Sequence, residues 1–270
     1  MMHQGLFHSG PGCGGDPLLT LLILLSWIAA AAALSSAGRR TSSRRAAPAL
    51  PGEVDQHFQA AQTQHDHPTL VRYYRLALER AATDLDRHLI RINLAYSLTA
   101  LEQYEEALAE LDKVSPKQLS APKIALWLNN RAYVLLHLHR LEEALDNLQD
   151  AQELTSGDDL DPTLAACISG TRGMVLFKQG NLDRAESALQ LALRLESSAP
   201  VQQFGQIAHP LEGDPHRTAE RWFWLSEIAM AKQDWKGRTE RLQHAARYPF
   251  TLHGRRALAL LGRPTPQTVL

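Results

Sequence analysis

Two cysteines, Cys13 and Cys167, stand in 270 residues. That scarcity excludes a disulfide-stapled scaffold and the paired Cys-x-x-Cys of zinc ribbons and redox centres. Cys167, in an apolar helix start, is expected to be a packing residue. The sequence also lacks a Walker-type Gly-rich loop, a His-Glu-x-x-His helix and a Gly-x-Ser-x-Gly elbow, so no catalytic motif is present and the chain is expected not to be an enzyme. Charge of one sign is lacking too: the formal net charge is -1 at pH 7. With no recognised module and no long basic stripe, nucleic acid is not expected among the partners.

Histidine is the nearest thing to a chemical signal, with 12 in the chain. His65-Asp66-His67 and His137-Leu138-His139 form two close pairs, but residues two apart on a helix point to different sides, so neither is expected to chelate. Asp158-Asp159-Leu160-Asp161-Pro162 lacks the ligand spacing of a calcium loop and reads as a loop with an Asp cap before a helix. No metal and no cofactor are expected. The pairs Glu105/Glu106 and Glu142/Glu143 fit helix starts, where carboxylates complement the helix dipole.

Lys and Arg are absent from the first 38 residues, yet Arg39, Arg40, Arg44 and Arg45 follow directly. Between a tail at 1–17 and these arginines runs LLTLLILLSWIAAAAALSSA (18–37), about 20 residues and long enough to span a bilayer. A signal peptide normally has a shorter apolar region preceded by Lys or Arg. The run is therefore expected to be a single transmembrane helix, with the N-terminus outside and the remainder cytoplasmic by the positive-inside tendency. The alternative is a signal sequence cleaved after Ser35-Ser36-Ala37, giving a periplasmic or secreted protein. Residues 38–52, rich in Arg, Ser, Ala and Pro, read as a disordered linker.

The remaining 53–262 is repetitive. AYSLTALEQYEEALAELDKV from Ala95, AYVLLHLHRLEEALDNLQDA from Ala132 and GMVLFKQGNLDRAESALQLA from Gly173 follow one pattern. Each opens on a small residue and carries a second twelve positions later: Ala107, Ala144 and Ala185. An apolar residue precedes that by three (Tyr104, Leu141, Leu182), and Leu follows it by four (Leu111, Leu148, Leu189). The copies are spaced by 37 and 41 residues, a period that marks stacked supersecondary units. Each unit reads as two antiparallel helices joined by a short polar hinge, with small residues letting the helices approach closely.

On these residues the chain resembles the tetratricopeptide repeat family, most clearly over 88–196. Arg131-Ala132-Tyr133 and Arg172-Gly173 are similar to the Arg-Gly or Arg-Ala step in the first helix of such repeats. The resemblance implies an all-α, right-handed solenoid of helix hairpins. Degenerate copies are expected at 53–87 and 216–250, the latter with Trp235 at the hinge apolar place. A long loop is expected at 197–215, an end-covering helix at 252–262 and a tail at 263–270. Hairpins are expected near 88–115, 124–155 and 164–196.

Proteins of this family bind a partner's peptide or helix in a concave groove lined by first helices, and matching positions assign that groove here to Asn93, Tyr96, Asn130, Tyr133, Thr171 and Met174. Asn is a poor helix former, and its amide can both donate to and accept from a peptide backbone. The clamp that some relatives use for a carboxylate is not matched, because Ile92 and Gly170 occupy its places. The aromatic run Trp222-Phe223-Trp224 is the next candidate for recognition. Charge is uneven: 84–161 carries 15 acids against 7 bases and 217–263 carries 10 bases against 4 acids, so an acidic middle and a basic end are expected. The function these features imply is a membrane-anchored interaction scaffold for an unidentified protein partner. The alternative is a processed accessory protein of cell-envelope assembly with the same repeats. AARYPFTLHGRRALALLG near the C-terminus resembles, for that reading, the helical platform domains of lytic transglycosylases.

Overall fold

The computed structural model describes residues 58, 60–62, 64–155, 161–198 and 214–262. The apolar run 18–37, the linker 38–52, most of the expected loop and the tail 263–270 lie outside the described residues. Among the described residues there is no strand, and no helix is long and apolar enough to cross a membrane. Fully within the described residues, ten α-helices follow one another: α1 His67–Arg80, α2 Asp84–Ala100, α3 Tyr104–Asp112, α4 Ala121–His137, α5 Leu141–Leu154, α6 Pro162–Lys178, α7 Leu182–Ser198, α8 Pro215–Ala231, α9 Trp235–Ala246 and α10 Leu252–Leu261. Pairs α2/α3, α4/α5, α6/α7 and α8/α9 are the hairpins, α1 packs on α2, and α10 packs on both α8 and α9.

The starts of these helices follow local chemistry. Asp66, Thr83, Asp161, Asp214, Asp234 and Thr251 each accept a backbone N–H of the first turn through the side chain, which satisfies one of the donors every helix start leaves free. Proline sits in the first turn of α1, α4, α6 and α8, where its missing N–H costs nothing.

The turns inside the hairpins share one backbone form. Glu102, His139, Gly180 and Gln233 have φ of 60°, 59°, 80° and 61°. The next residue's N–H in each closes on a carbonyl five back: Gln103 on Leu98, Arg140 on Leu135, Asn181 on Leu176, Asp234 on Ala229, at 2.8–2.9 Å. This is a Schellman closure with a left-handed residue at its corner. His65, at φ 52°, does the same, with Asp66 N–H donating to the Ala61 carbonyl at 2.8 Å. His65 to Glu102 and Glu102 to His139 are each 37 residues, so the degenerate first copy keeps the repeat's register.

Close approach between the two helices of a hairpin is what the small residues permit. Ala95, Ala107, Ala132, Ala144 and Ala185 are fully buried, as are Leu111, Leu148 and Leu189. A Cβ on Gly173 would lie 2.6 Å from the Leu189 Cγ and 3.1 Å from the Ala185 carbonyl oxygen, so α6 and α7 meet more closely than any side chain there allows. Successive units are tied by the arginines of the repeat step. Arg131 pairs with Asp112 at 3.1 Å, and Arg172 donates to Gln152 at 2.6 Å.

Part of the basic end is neutralised within the chain, because four of its ten bases, Arg217, Arg221, Lys232 and Arg241, pair with the third copy's carboxylates. Lys232 pairs with Asp183 and Glu186 at 2.6 and 2.7 Å, and Arg241 bonds Glu186 as well. The strongest tie is buried. Glu196, 3% exposed, takes Arg221 on one oxygen and Arg217 on the other, the latter at 3.0 Å. The Asp214 N–H also reaches Glu196, at 3.2 Å, and the second Arg221 amino group donates to the Ala166 carbonyl at 3.0 Å. Gly170 makes room for this arginine, since a Cβ there would stand 3.1 Å from its Nε. Helix α8 is thereby locked onto α6 and α7 although 15 residues of sequence separate α7 from Asp214.

Replacing Ala144 with Trp is expected to overfill a contact with no free space, at about 1–3 kcal/mol or more, whereas Trp at exposed Gln149 is expected to leave stability nearly unchanged. Thermal unfolding of the two variants, followed by far-ultraviolet circular dichroism, checks this; equal melting temperatures would place the wrong face inward.

Candidate functional site

Helices α2, α4, α6 and α8 stand side by side and present the positions assigned to a groove. Asn93 and Tyr96 lie three apart on α2, and Asn130, Tyr133 and His137 lie three and four apart on α4, so each set shares a face. Tyr96 is 54% exposed, Tyr133 is half-buried, and the two asparagines are half-buried beside them. The third copy behaves differently. Thr171 and Met174 are only 3% exposed and offer no surface to a ligand. Helix α6 is apolar on nearly every side, with Leu164, Ile168, Val175 and Leu176 also buried, because it is covered by neighbours on both flanks. Repeat register alone places those two residues in the groove; the packing of α8 takes them out of it.

The helices flanking α6 meet directly. The Tyr133 hydroxyl donates to Glu220 Oε1 at 2.8 Å, joining α4 to α8. Around this bond the face is aromatic. Tyr104 stacks on His137 at 4.4 Å between centroids, and Tyr133 lies 4.8 Å from the same imidazole. Phe177 packs edge-on to Trp224 at 5.4 Å, and Lys178 Nζ stands 5.4 Å from that indole's centroid. The curl of the stack brings its first described turn to its far end: His65 lies 4.5 Å from His216, and His216 is 6.0 Å from Phe250.

Residues 123–195 match the family model for the tetratricopeptide repeat. That stretch holds nearly all of α4 to α7, two complete hairpins. A search of curated proteins finds no match. Among solved structures, BtubC (BKLC) from P. vanneervenii is 22% identical, with 76% of this chain and 79% of that one covered and a TM-score of 0.50; that likeness concerns the fold. The MamA RS-1 ArsTM double mutant (17% identity, 72% and 91% covered, TM-score 0.42) and YrrB, a TPR protein with an unusual peptide-binding site (18%, 74% and 86%, TM-score 0.39), are similar at a lower level.

The hairpins carry two features the residue pattern did not disclose. The fourth hairpin follows the third after a 53-residue step, from Gly180 to Gln233. Carrying the Asn93–Asn130–Thr171 place forward by that step reaches Trp224, and Glu220 lies one turn before it. Trp224 therefore occupies the groove position of the fourth copy, while its neighbour Trp222 stacks on His244 of α9 at 4.3 Å and Phe223 lies 5.2 Å from His253 of α10. The aromatic run is thus divided between the groove, α9 and α10. The second feature is the electrostatics. Burial pushes the Glu220 carboxyl up to about 7, although the Tyr133 hydroxyl acts against it. The Trp224 indole N–H is near the same carboxylate but outside hydrogen-bonding geometry. Burial also raises Tyr96 to about 12 and Tyr133 well above the usual phenol. Burial, then the charge of Lys178, holds His137 down to about 4; His253 falls to about 4 through burial and Arg256. Among the described residues no group of three or more His, Cys, Asp or Glu is arranged for a metal ion.

A carboxylate whose folded value is raised from 4.5 to about 7 opposes folding once the pH passes 4.5, and fully so above 7, by an amount on the order of 2–3 kcal/mol. Glu220→Gln, which keeps the acceptor for Tyr133, is therefore expected to raise the melting temperature at pH 8 and to match wild type near pH 4. Melting curves at the two pH values decide it: no gain at pH 8 would mean the carboxylate is better compensated than its surroundings imply.

Proposed function

We propose that this chain is a membrane-anchored protein–protein interaction scaffold whose tetratricopeptide groove takes an extended or helical peptide segment of a partner. The observation that carries the reading is an exposed aromatic ring: Tyr96 is 54% exposed, on the helix that carries Asn93 and beside the one that carries Asn130 and Tyr133. A folded chain gains little by presenting an aromatic ring to solvent unless another surface covers it. Tyrosine supplies apolar area with a hydroxyl handle, and asparagine amides match the donors and acceptors of a main chain. The anchor rests on the apolar run 18–37 and the four arginines that follow it. Sodium carbonate extraction of membranes is expected to leave the intact chain in the pellet. A soluble product whose N-terminus is Gly38 would instead establish the cleaved, exported form.

Changing Asn93 and Asn130 together to Ala is expected to leave the melting temperature within a few degrees, since Ala is the better helix former. Partner affinity is expected to fall at least about tenfold, because each lost hydrogen bond strands a peptide group at about 1–3 kcal/mol. Affinity isolation from detergent extract, followed by titration of whatever the wild type retains, reads the difference. Unfolding of the double variant would make these asparagines structural, and equal retention of every partner would move recognition elsewhere.

A further inference from the structure

Glu220 is a carboxylate on the groove face that pairs with no countercharge among the described residues. It sits half-buried where α4 and α8 meet, and its hydroxyl partner Tyr133 is neutral. Among the described residues it has no ion-pair partner. Arg217, one turn earlier on α8, influences it but is held by Glu196 and Asp214 at 3.0 and 3.6 Å, and Arg221 is taken by Glu196 and the Ala166 carbonyl. The rings beside it are of the kind that accept a cation on their faces, and one already does so: Lys178 Nζ lies 5.4 Å from the Trp224 centroid. A carboxylate that is poorly hydrated, bordered by aromatic rings and lacking a countercharge is complementary to a positive group brought by a ligand.

We infer that the groove recognises a basic side chain, lysine or arginine, of the bound peptide, which pairs with Glu220 between the rings of Tyr133 and Trp224. This rests on the groove reading and gives it a chemistry. The cation supplies the charge that the carboxylate lacks, and the aromatic walls desolvate the pair, so an acidic or apolar residue in the same place leaves Glu220 unpaired. Asp214 and Arg217 on its own helix, Tyr133 from α4, Lys178 at the end of α6, where it lies over the Trp224 ring, and Tyr104 and Tyr96 from the preceding repeat are the titratable and charged groups that share the space. His137 and His253, held near 4, stay neutral from pH 6 to 8. In that window a cation binds more tightly as the pH rises and Glu220 ionises.

The probe is a phage-displayed library of random dodecapeptides, panned at pH 8 on the full-length chain in detergent micelles. E220Q and the variant combining Asn93→Ala with Asn130→Ala are panned in parallel. Wild type is expected to retain clones that share a Lys or Arg at one position and that the asparagine variant loses. The synthetic peptide of the strongest clone is expected to bind E220Q at least about tenfold more weakly, one decade being 1.4 kcal/mol, and to bind wild type several-fold more weakly at pH 6 than at pH 8. Clones that the asparagine variant loses but that carry no shared basic residue, that carry an acidic one, or that bind E220Q equally well would overturn the inference and leave the groove reading standing. If wild type retains no clones, or only clones that the asparagine variant keeps equally, both fail.

Discussion

The buried carboxylate of Glu196 is the contact on which the working part of the molecule depends. A carboxylate held away from water is tolerable only if it is paired and hydrogen-bonded, and Glu196 meets that demand with two arginines and a backbone N–H, all from the first two turns of α8 or its cap. Removing one partner of such a group costs far more than the group contributes as a set, so the position of α8 is strongly specified even though the chain between α7 and α8 is long. The adjoining absence of a Cβ at Gly170 is part of the same device, because it admits the guanidinium to the α6 surface.

Everything on the concave face follows from where α8 is held. Glu220 is next in sequence to Arg221, and Trp224 is one turn beyond Glu220. With Arg221 fixed inward, Glu220 is turned toward α4 and reaches Tyr133, while Trp224 closes on Phe177 and Lys178. Adjacent residues on one helix thus have opposite electrostatic situations: Arg221 is satisfied within the chain and Glu220 is not. Binding sites commonly hold groups that reduce stability in the free protein and are matched only by a ligand, and a carboxyl raised to about 7 belongs to that class.

Much of the scaffold was legible in the sequence because it rests on periodicity. The small residues Ala95, Ala107, Ala132, Ala144 and Ala185 and the leucines Leu111, Leu148 and Leu189 are all fully buried, and the hairpins begin and end within a few residues of the expected limits. At the flanks of the clear repeats, Tyr74 is buried and Trp235 opens α9. What it did not locate are the places where one copy differs from the rest. Thr171 and Met174 match Asn93 and Tyr96 in register, but α8 and its neighbours cover that part of α6. Glu196 and Arg221 look like ordinary surface charges, because nothing in a helix's own sequence tells a paired buried ion from a solvated one. The same limit applied to the basic end, where Lys232 and Arg241 are matched by acids about fifty residues away.

The left-handed turn residues carry an implication for how far this chain could be stabilised. Only Gly180 among the five suits its corner; His65, Glu102, His139 and Gln233 adopt positive φ with a Cβ in place, at a strain of about 1 kcal/mol each. The turn is thus enforced by the helices on either side and not chosen by the residue, which is why copies can drift at this position and keep their shape. Glycine at those four corners would relieve the strain, less its greater freedom in the unfolded chain. The natural sequence leaves that margin unused, and thermal tolerance could be gained there one repeat at a time.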